Sequence, residues 1–185
     1  MLLVVLIVGV YVWRMRGRVE EVESGAAYSR PVAPPIQGPT EQVTLYVAYD
    51  EPGVLRAQAA RIALPEGRQQ RAQELLRALL DLYLDKSSAH PLPRGAEIRD
   101  VYLVDPGLEV IDTNAALADG HRSGVLIEEL TIASMIETLA ANNPGILRVK
   151  ILVDGKQRET LAGHADLSGF YDVSAVNQLA GQMAQ

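Results

Sequence analysis

The chain has no cysteine, one tryptophan, one phenylalanine and three histidines among 185 residues. Without cysteine there is no disulfide framework, no thiolate nucleophile, no zinc–thiolate site and no amino-terminal cysteine to carry a lipid. The sequence also lacks a glycine-rich dinucleotide or phosphate loop, an H-E-x-x-H helix and a G-x-S-x-G nucleophile elbow. Basic charge is scarce in the body of the chain. Three of the seventeen basic residues (Arg14, Arg16 and Arg18) precede Val19 and no acid does, so residues 19–185 carry fourteen basic against twenty-three acidic side chains, a net of −9. Binding a nucleic acid needs clustered Lys and Arg to neutralise phosphates, so that class of partner is not expected.

What the chain does have is a long apolar start. Residues 1–13 comprise twelve apolar residues and Gly9, ending in Tyr11 and Trp13, with Arg14-Met15-Arg16-Gly17-Arg18 directly behind. Rings followed by cations match the interfacial end of a membrane helix. A cleaved signal peptide would place its basic residues before the run rather than after it. As a helix the run covers only about 20 Å of a roughly 30 Å hydrocarbon core. We therefore expect an amino-terminal membrane anchor over residues 1–23, read as the end of a longer one. Taken alone, the positive-inside tendency would keep the arginines and the rest of the chain in the cytoplasm.

Residues 24–40 hold four of the ten prolines and favour extended polyproline conformations. Such a linker reaches up to roughly 50 Å. A folded domain is expected over residues 41–173 and a polar tail over 174–185. Strand signals occupy residues 43–49 and, more weakly, 56–64. Pro65 is placed to open a helix in which Ala72, Leu75, Leu76, Leu79, Leu82 and Tyr83 form the apolar face. A hairpin comes next, residues 98–104 and 108–111 around Asp105-Pro106-Gly107, with Leu108, Val110 and Asp112 alternating toward the core. A second helix over 125–141 turns Ile132, Met135, Ile136 and Leu139 inward and stops at Asn142-Asn143-Pro144-Gly145. The last strand, 147–153, alternates Val149, Ile151 and Val153 with Arg148 and Lys150, then turns at Asp154-Gly155 into an expected partner strand, 156–161. The order α-β-β-α-β, preceded by strands, predicts an α+β fold: a small mixed sheet with two helices packed on one face.

Candidate chemistry is sparse. His90, His121 and His164 fall in three separate loops, none at metal-ligand spacing with another. Gly163-His164-Ala165-Asp166 puts a carboxylate two residues from an imidazole, a spacing that can orient a base and that in a turn more often makes a local hydrogen bond. Asp112, before Thr113 and Asn114, reads as a turn-former that takes loose backbone amides. Glu128 and Glu129 read as ordinary acids favoured by a helix start. His164, Asp166 and Asp112 are the candidate ligand or partner contacts; no catalytic, cofactor or metal residue is assigned.

Several segments together carry a resemblance: Val43-Thr44-Leu45-Tyr46-Val47, the helix over 72–80, Pro93-Arg94-Gly95 before Ile98-Arg99-Asp100-Val101-Tyr102-Leu103, Val110-Ile111-Asp112, the helix over 132–139, Val149-Lys150-Ile151-Leu152-Val153-Asp154-Gly155, and Gly163-His164-Ala165-Asp166. In this order and spacing, residues 42–171 resemble a GerMN domain, the module named from sporulation and germination proteins. The resemblance implies a fold similar to the ring-building motifs of bacterial secretion systems, a membrane-anchored protein working outside the cytoplasm, and an interaction module with no catalytic residues to carry over. The chain has one copy where sporulation members can have two, and no lipidation cysteine. The leading expectation is a single-pass, membrane-tethered, non-catalytic interaction module on the extracytoplasmic side, binding an envelope protein or itself. An envelope glycan-binding module using Tyr46, Tyr49 and Tyr102 is the alternative, and a weak hydrolase using His164 and Asp166 the third.

Overall fold

β-Branched and aromatic residues make strand β1 (Thr40–Tyr49), which turns back into the antiparallel strand β2 (Val54–Ala63) with Thr40 opposite Ala63 and Tyr49 opposite Val54. These strands open a computed structural model that describes residues 40–183 apart from 105, all within the unit Gln37–Gln185. The expected anchor and all of the expected linker but Thr40 lie outside the described residues. Among the described residues no helix is long and apolar enough to cross a membrane.

The chain continues through α1 (Arg68–Leu84), β3 (Ile98–Val104), β4 (Leu108–Thr113), α2 (Ala115–Asp119), α3 (Val125–Asn142), β5 (Arg148–Val153), β6 (Tyr171–Asp172) and α4 (Val173–Met183). The α+β class and the α-β-β-α-β order hold, with α2 as a short insertion. The strands divide between two sheets: the β1–β2 hairpin, and a mixed sheet ordered β3-β4-β5-β6 in which β4 and β5 are parallel. That parallel pair is joined by α3, so β4-α3-β5 is a crossover unit.

Helix α1 starts at Arg68, three residues after Pro65, with Gly67 at its N-cap. Its predicted apolar face is buried except for Leu82, which is 42% exposed. Helix α3 departs further from expectation. Every residue from Leu130 to Leu139 is buried, including Thr131, Ser134, Glu137 and Thr138. A helix is covered on all sides when it has neighbours on all sides, and α3 packs against β1, β2, α1 and α4.

Part of that burial closes the outer edge of β1. The amides of Thr44, Tyr46 and Ala48 point away from β2 and donate to Asn142 Oδ1 at 3.1 Å, Thr138 Oγ1 at 2.9 Å and the Tyr83 hydroxyl at 2.8 Å. Asn142 also donates to the Thr44 carbonyl at 2.7 Å. Helix side chains thus satisfy backbone groups that an edge strand otherwise presents for pairing.

The structure corrects three sequence expectations. In β4 the deeply buried positions include Glu109, Ile111 and Thr113, at 1%, 0% and 0% exposure, while Leu108 and Val110 are half-buried. Period-two alternation makes a one-residue shift exchange the two faces, and a strand flanked on both sides has two apolar faces to confuse. The expected strand over 156–161 is also missing. Asp154 (φ 50) and Gly155 (φ 71) do make the tight turn, but against β5 only a single bridge, Val153 with Lys156, comes after it, and Thr160 bridges Asp166 instead. The segment is polar and has no apolar alternation, and its far end bonds to residues 165–167 instead, the Leu161 amide donating to the Ala165 carbonyl at 3.0 Å and the Leu167 amide to the Glu159 carbonyl at 2.8 Å. The partner of β5 is the two-residue β6, opposite Arg148 and Val149. Lys150, expected at the surface, is buried, and its ammonium donates to the carbonyls of Leu167, Ser168 and Gly169 at 2.7, 2.8 and 3.0 Å. Helix α4 adds Val173, Val176 and Ala180 to the core.

Candidate functional site

Glu128 lies in the first turn of α3 and is fully buried. Its carboxylate gathers five donors. Oε1 accepts from the Gly124 amide at 3.1 Å and His164 Nδ1 at 2.9 Å; Oε2 accepts from the amides of Ala162, His164 and Ala165 at 2.9, 3.0 and 3.0 Å. Burial by itself pushes the carboxyl up, but the hydrogen bonds from His164 and the backbone amides outweigh it and hold it at about 2. A side chain that the sequence marks as an ordinary helix-start acid is therefore the clasp that fixes the 162–165 loop. Sequence distance hides this, since the loop amides lie more than thirty residues away along the chain.

The clasp also sets the chemistry of His164. Glu128 Oε1 occupies Nδ1, and the Ser123 hydroxyl lies 3.3 Å from that same nitrogen. A serine–histidine–carboxylate relay needs the hydroxyl and the carboxylate on opposite ring nitrogens. Here they share one, so His164 cannot pass a proton between them. Its Nε2 has no partner among the described residues, and the side chain is 42% exposed.

Asp166 does not orient His164. Its Oδ1 accepts the Ser168 amide at 2.7 Å, a local turn that, with the Ser168 side chain, holds its carboxyl below the ordinary range. Both residues nevertheless line one groove of about 530 Å³ between α3, this loop and α4. Ile132, Ala133, Val176 and Leu179 give the groove apolar walls, and Glu129, Asp166 and His164 line it with polar groups. Tyr171 closes one side, donating its hydroxyl to the Asp166 carbonyl at 2.7 Å. Burial and the nearby carboxylates of Asp166, Glu129 and Glu128 push that phenol up to about 12. The surroundings suit an apolar group carrying a positive charge.

Asp112 belongs to a separate network. It lies within β4 rather than in a turn; its Oδ1 accepts the distant Gly155 amide at 2.7 Å, and Oδ2 lies 3.3 Å from Arg99 Nε. Arg99 also pairs with Asp154 at 2.5 Å, so Asp112 ties β3 and β4 to the turn after β5.

The other two histidines, distant in sequence, meet on Thr131. His90 Nε2 and His121 Nε2 each lie 2.7 Å from its Oγ1, with ring centroids 6.3 Å apart. His90 Nδ1 lies 2.6 Å from Asp50 Oδ1, Asp50 also pairs with Arg122, and His121 Nδ1 bonds the Arg122 carbonyl at 2.8 Å. Burial lowers both imidazoles, against the pull of Asp50 on His90 and of the Arg122 carbonyl on His121. The network joins the β1–β2 turn, the loop after α1 and the start of α3. Among the described residues no group of three or more His, Asp or Glu side chains could hold a metal ion.

A family model described as Germane, sporulation and spore germination, matches residues 44–159, more than half of the chain. No curated protein matches. Among solved structures, the tandem GerMN domains of the sporulation protein GerM from Bacillus subtilis align at 18% identity and TM-score 0.53, over 72% of this chain and 46% of that one. The first GerMN domain of GerM alone aligns at 17% identity and TM-score 0.46, covering 69% of this chain and 93% of that one. A chain described as a lipoprotein from Clostridium perfringens aligns at 20% identity and TM-score 0.48, covering 76% and 92%. The likeness to the tandem structure is one of fold. The extent of the family match, across strands and helices in the order of this fold, places the chain in the Germane family of sporulation and spore germination domains.

Proposed function

We propose that this chain is a membrane-tethered, non-catalytic interaction module acting in cell-envelope assembly, built as an anchor over residues 1–23, a linker over 24–40, a GerMN domain over 41–173 and a tail over 174–185. The observation that carries the binding part is the α3–α4 groove, with apolar walls, acids at Glu129 and Asp166, and a histidine whose geometry forbids a proton relay. Such a site favours capture over turnover. The tethering part is supported by the apolar run of residues 1–13 with its trailing arginines, and the extracytoplasmic orientation by the GerMN resemblance.

A photo-crosslinker placed at Leu179 in the membrane-embedded full chain tests the reading. The same protein should be recovered repeatedly and lost when Asp166 and Glu129 are both changed to Lys; recovery of no reproducible partner argues against it. A reporter fused after Gln185 should be active only on the extracytoplasmic side. The glycan-binding alternative is favoured by one observation: Tyr102 is 43% exposed, whereas Tyr46 and Tyr49 are half-buried. Retention on purified cell-wall polymer, lost in Tyr102→Ala, would support that alternative.

A further inference from the structure

We propose that the outer edge of β2 is a docking site for an extended, acid-bearing segment of a partner protein, which adds to the hairpin as a third strand. The amides of Thr44, Tyr46 and Ala48 point away from β2, so Val43, Leu45 and Val47 share hydrogen bonds with their opposites Ala60, Gln58 and Arg56. By alternation the backbone groups of Ala57, Ala59 and Arg61 face outward. Among the described residues they have no hydrogen-bond partner, and all three residues are exposed. The two edges of one hairpin are thus treated in opposite ways: helix side chains seal β1, and β2 is left open over most of a ten-residue strand. An open edge supplies main-chain donors and acceptors to any strand that can approach, and Ala57 and Ala59 offer no bulk to prevent it.

Charge selects the occupant. Strand β2 carries Arg56 and Arg61 and no acid, on a body that is otherwise acidic. Arg56 lies over the Tyr49 ring at 4.8 Å, and Arg61 has no ion pair among the described residues. The nearby Glu41 is already paired with Arg71 at 2.7 Å. Two cations on an edge strand disfavour pairing with an identical strand and favour one that brings carboxylates. Residues five apart in a strand lie on opposite faces. The segment therefore carries two acids at that spacing, with β-branched side chains over Ala57 and Ala59, beside Tyr46 and Thr44. This assignment rests on the interaction-module reading but uses a surface other than the groove.

A fluorescein-labelled peptide of alternating Val and Thr, with Glu at two positions five apart, is titrated against the full chain by anisotropy, beside the same peptide carrying Lys instead. The Glu peptide should bind more tightly by about tenfold or more, and should slow hydrogen exchange at the amides of Ala57, Ala59 and Arg61. Ala59→Pro removes an amide the hairpin does not use, so binding should vanish while the thermal melt is kept. Arg56→Glu combined with Arg61→Glu should reverse the peptide preference, a readout that survives if the proline variant fails to fold. Absence of binding, binding without protection of those amides, or binding retained in a folded Ala59→Pro chain overturns the proposal. Protection that grows with chain concentration alone overturns it too, in favour of self-pairing. None of these outcomes alters crosslinking from Leu179, so this proposal can fail while the groove reading stands.

Discussion

Glu128→Gln removes a charge at nearly constant volume, and its cost can be worked from the clasp. The carboxyl moves from an ordinary 4.5 to about 2 in the folded chain. A shift of that size, at about 1.4 kcal/mol per unit, amounts to about 3 kcal/mol of stability at neutral pH. A depressed acid contributes fully above its unfolded value, and the contribution is lost as pH falls through the folded one. The gap between wild type and variant should therefore be full at pH 7, begin to narrow below about 4.5 and close near 2. At neutral pH it corresponds to a melting point roughly 6–12 °C lower. Gln adds a local conflict, because its amide nitrogen would face one group of backbone donors where an acceptor is needed. The assay is urea unfolding at several pH values between 3 and 7, with hydrogen exchange read at Ala162, His164 and Ala165, whose amides should lose protection. A variant within about 0.5 kcal/mol of wild type at pH 7, or a gap that does not change with pH, would refute the reasoning.

Glu137 should behave in the opposite sense. Burial raises its carboxyl to about 7 and Oε1 has no hydrogen-bond partner among the described residues, so the folded chain holds a proton that the unfolded chain releases above about 4.5; Glu137→Gln should stabilise by up to about 3 kcal/mol at pH 8 and little at pH 4, read from urea midpoints. Thr131→Val leaves two buried imidazole nitrogens without their shared partner and should cost about 2–3 kcal/mol, with NMR showing shifted His90 and His121 Nε2 resonances; unchanged ring resonances would contradict the network. Tyr83→Phe strips the acceptor from the buried Ala48 amide and should cost about 1–2 kcal/mol in thermal unfolding, with faster exchange at Ala48 itself.

Much of the fold was legible because its signals are local. Alternating β-branched residues mark β1, three- and four-residue spacing marks α1, and Asp154-Gly155 marks a turn that only small or permissive residues enter easily. The order of elements followed from these. What failed depended on neighbours that the sequence does not name. The apolar residues on both faces of β4 left its inward face ambiguous. The polar stretch after Lys156 looked like a strand because a tight turn preceded it, yet its backbone bonds to residues 165–167 instead. Among the site residues, Asp112 lies within β4 and takes a distant amide at Gly155, while His164 and Asp166 reached one groove without bonding each other. Glu128, Glu137 and Lys150 were hidden because a charged residue in sequence carries no mark of being buried.

The sequence by itself determined where β1, α1, β3, α3 and β5 fall, the acidity of the body, and the exclusion of thiol chemistry, because propensity, periodicity and composition act over a few residues. Only the tertiary structure decided that Glu128 binds a loop more than thirty residues away, that His90 and His121 meet on Thr131, and that one edge of the hairpin is sealed while the other is open. Each of these depends on which desolvated donor finds which acceptor once the helices pack, and that pairing is settled in space rather than along the chain.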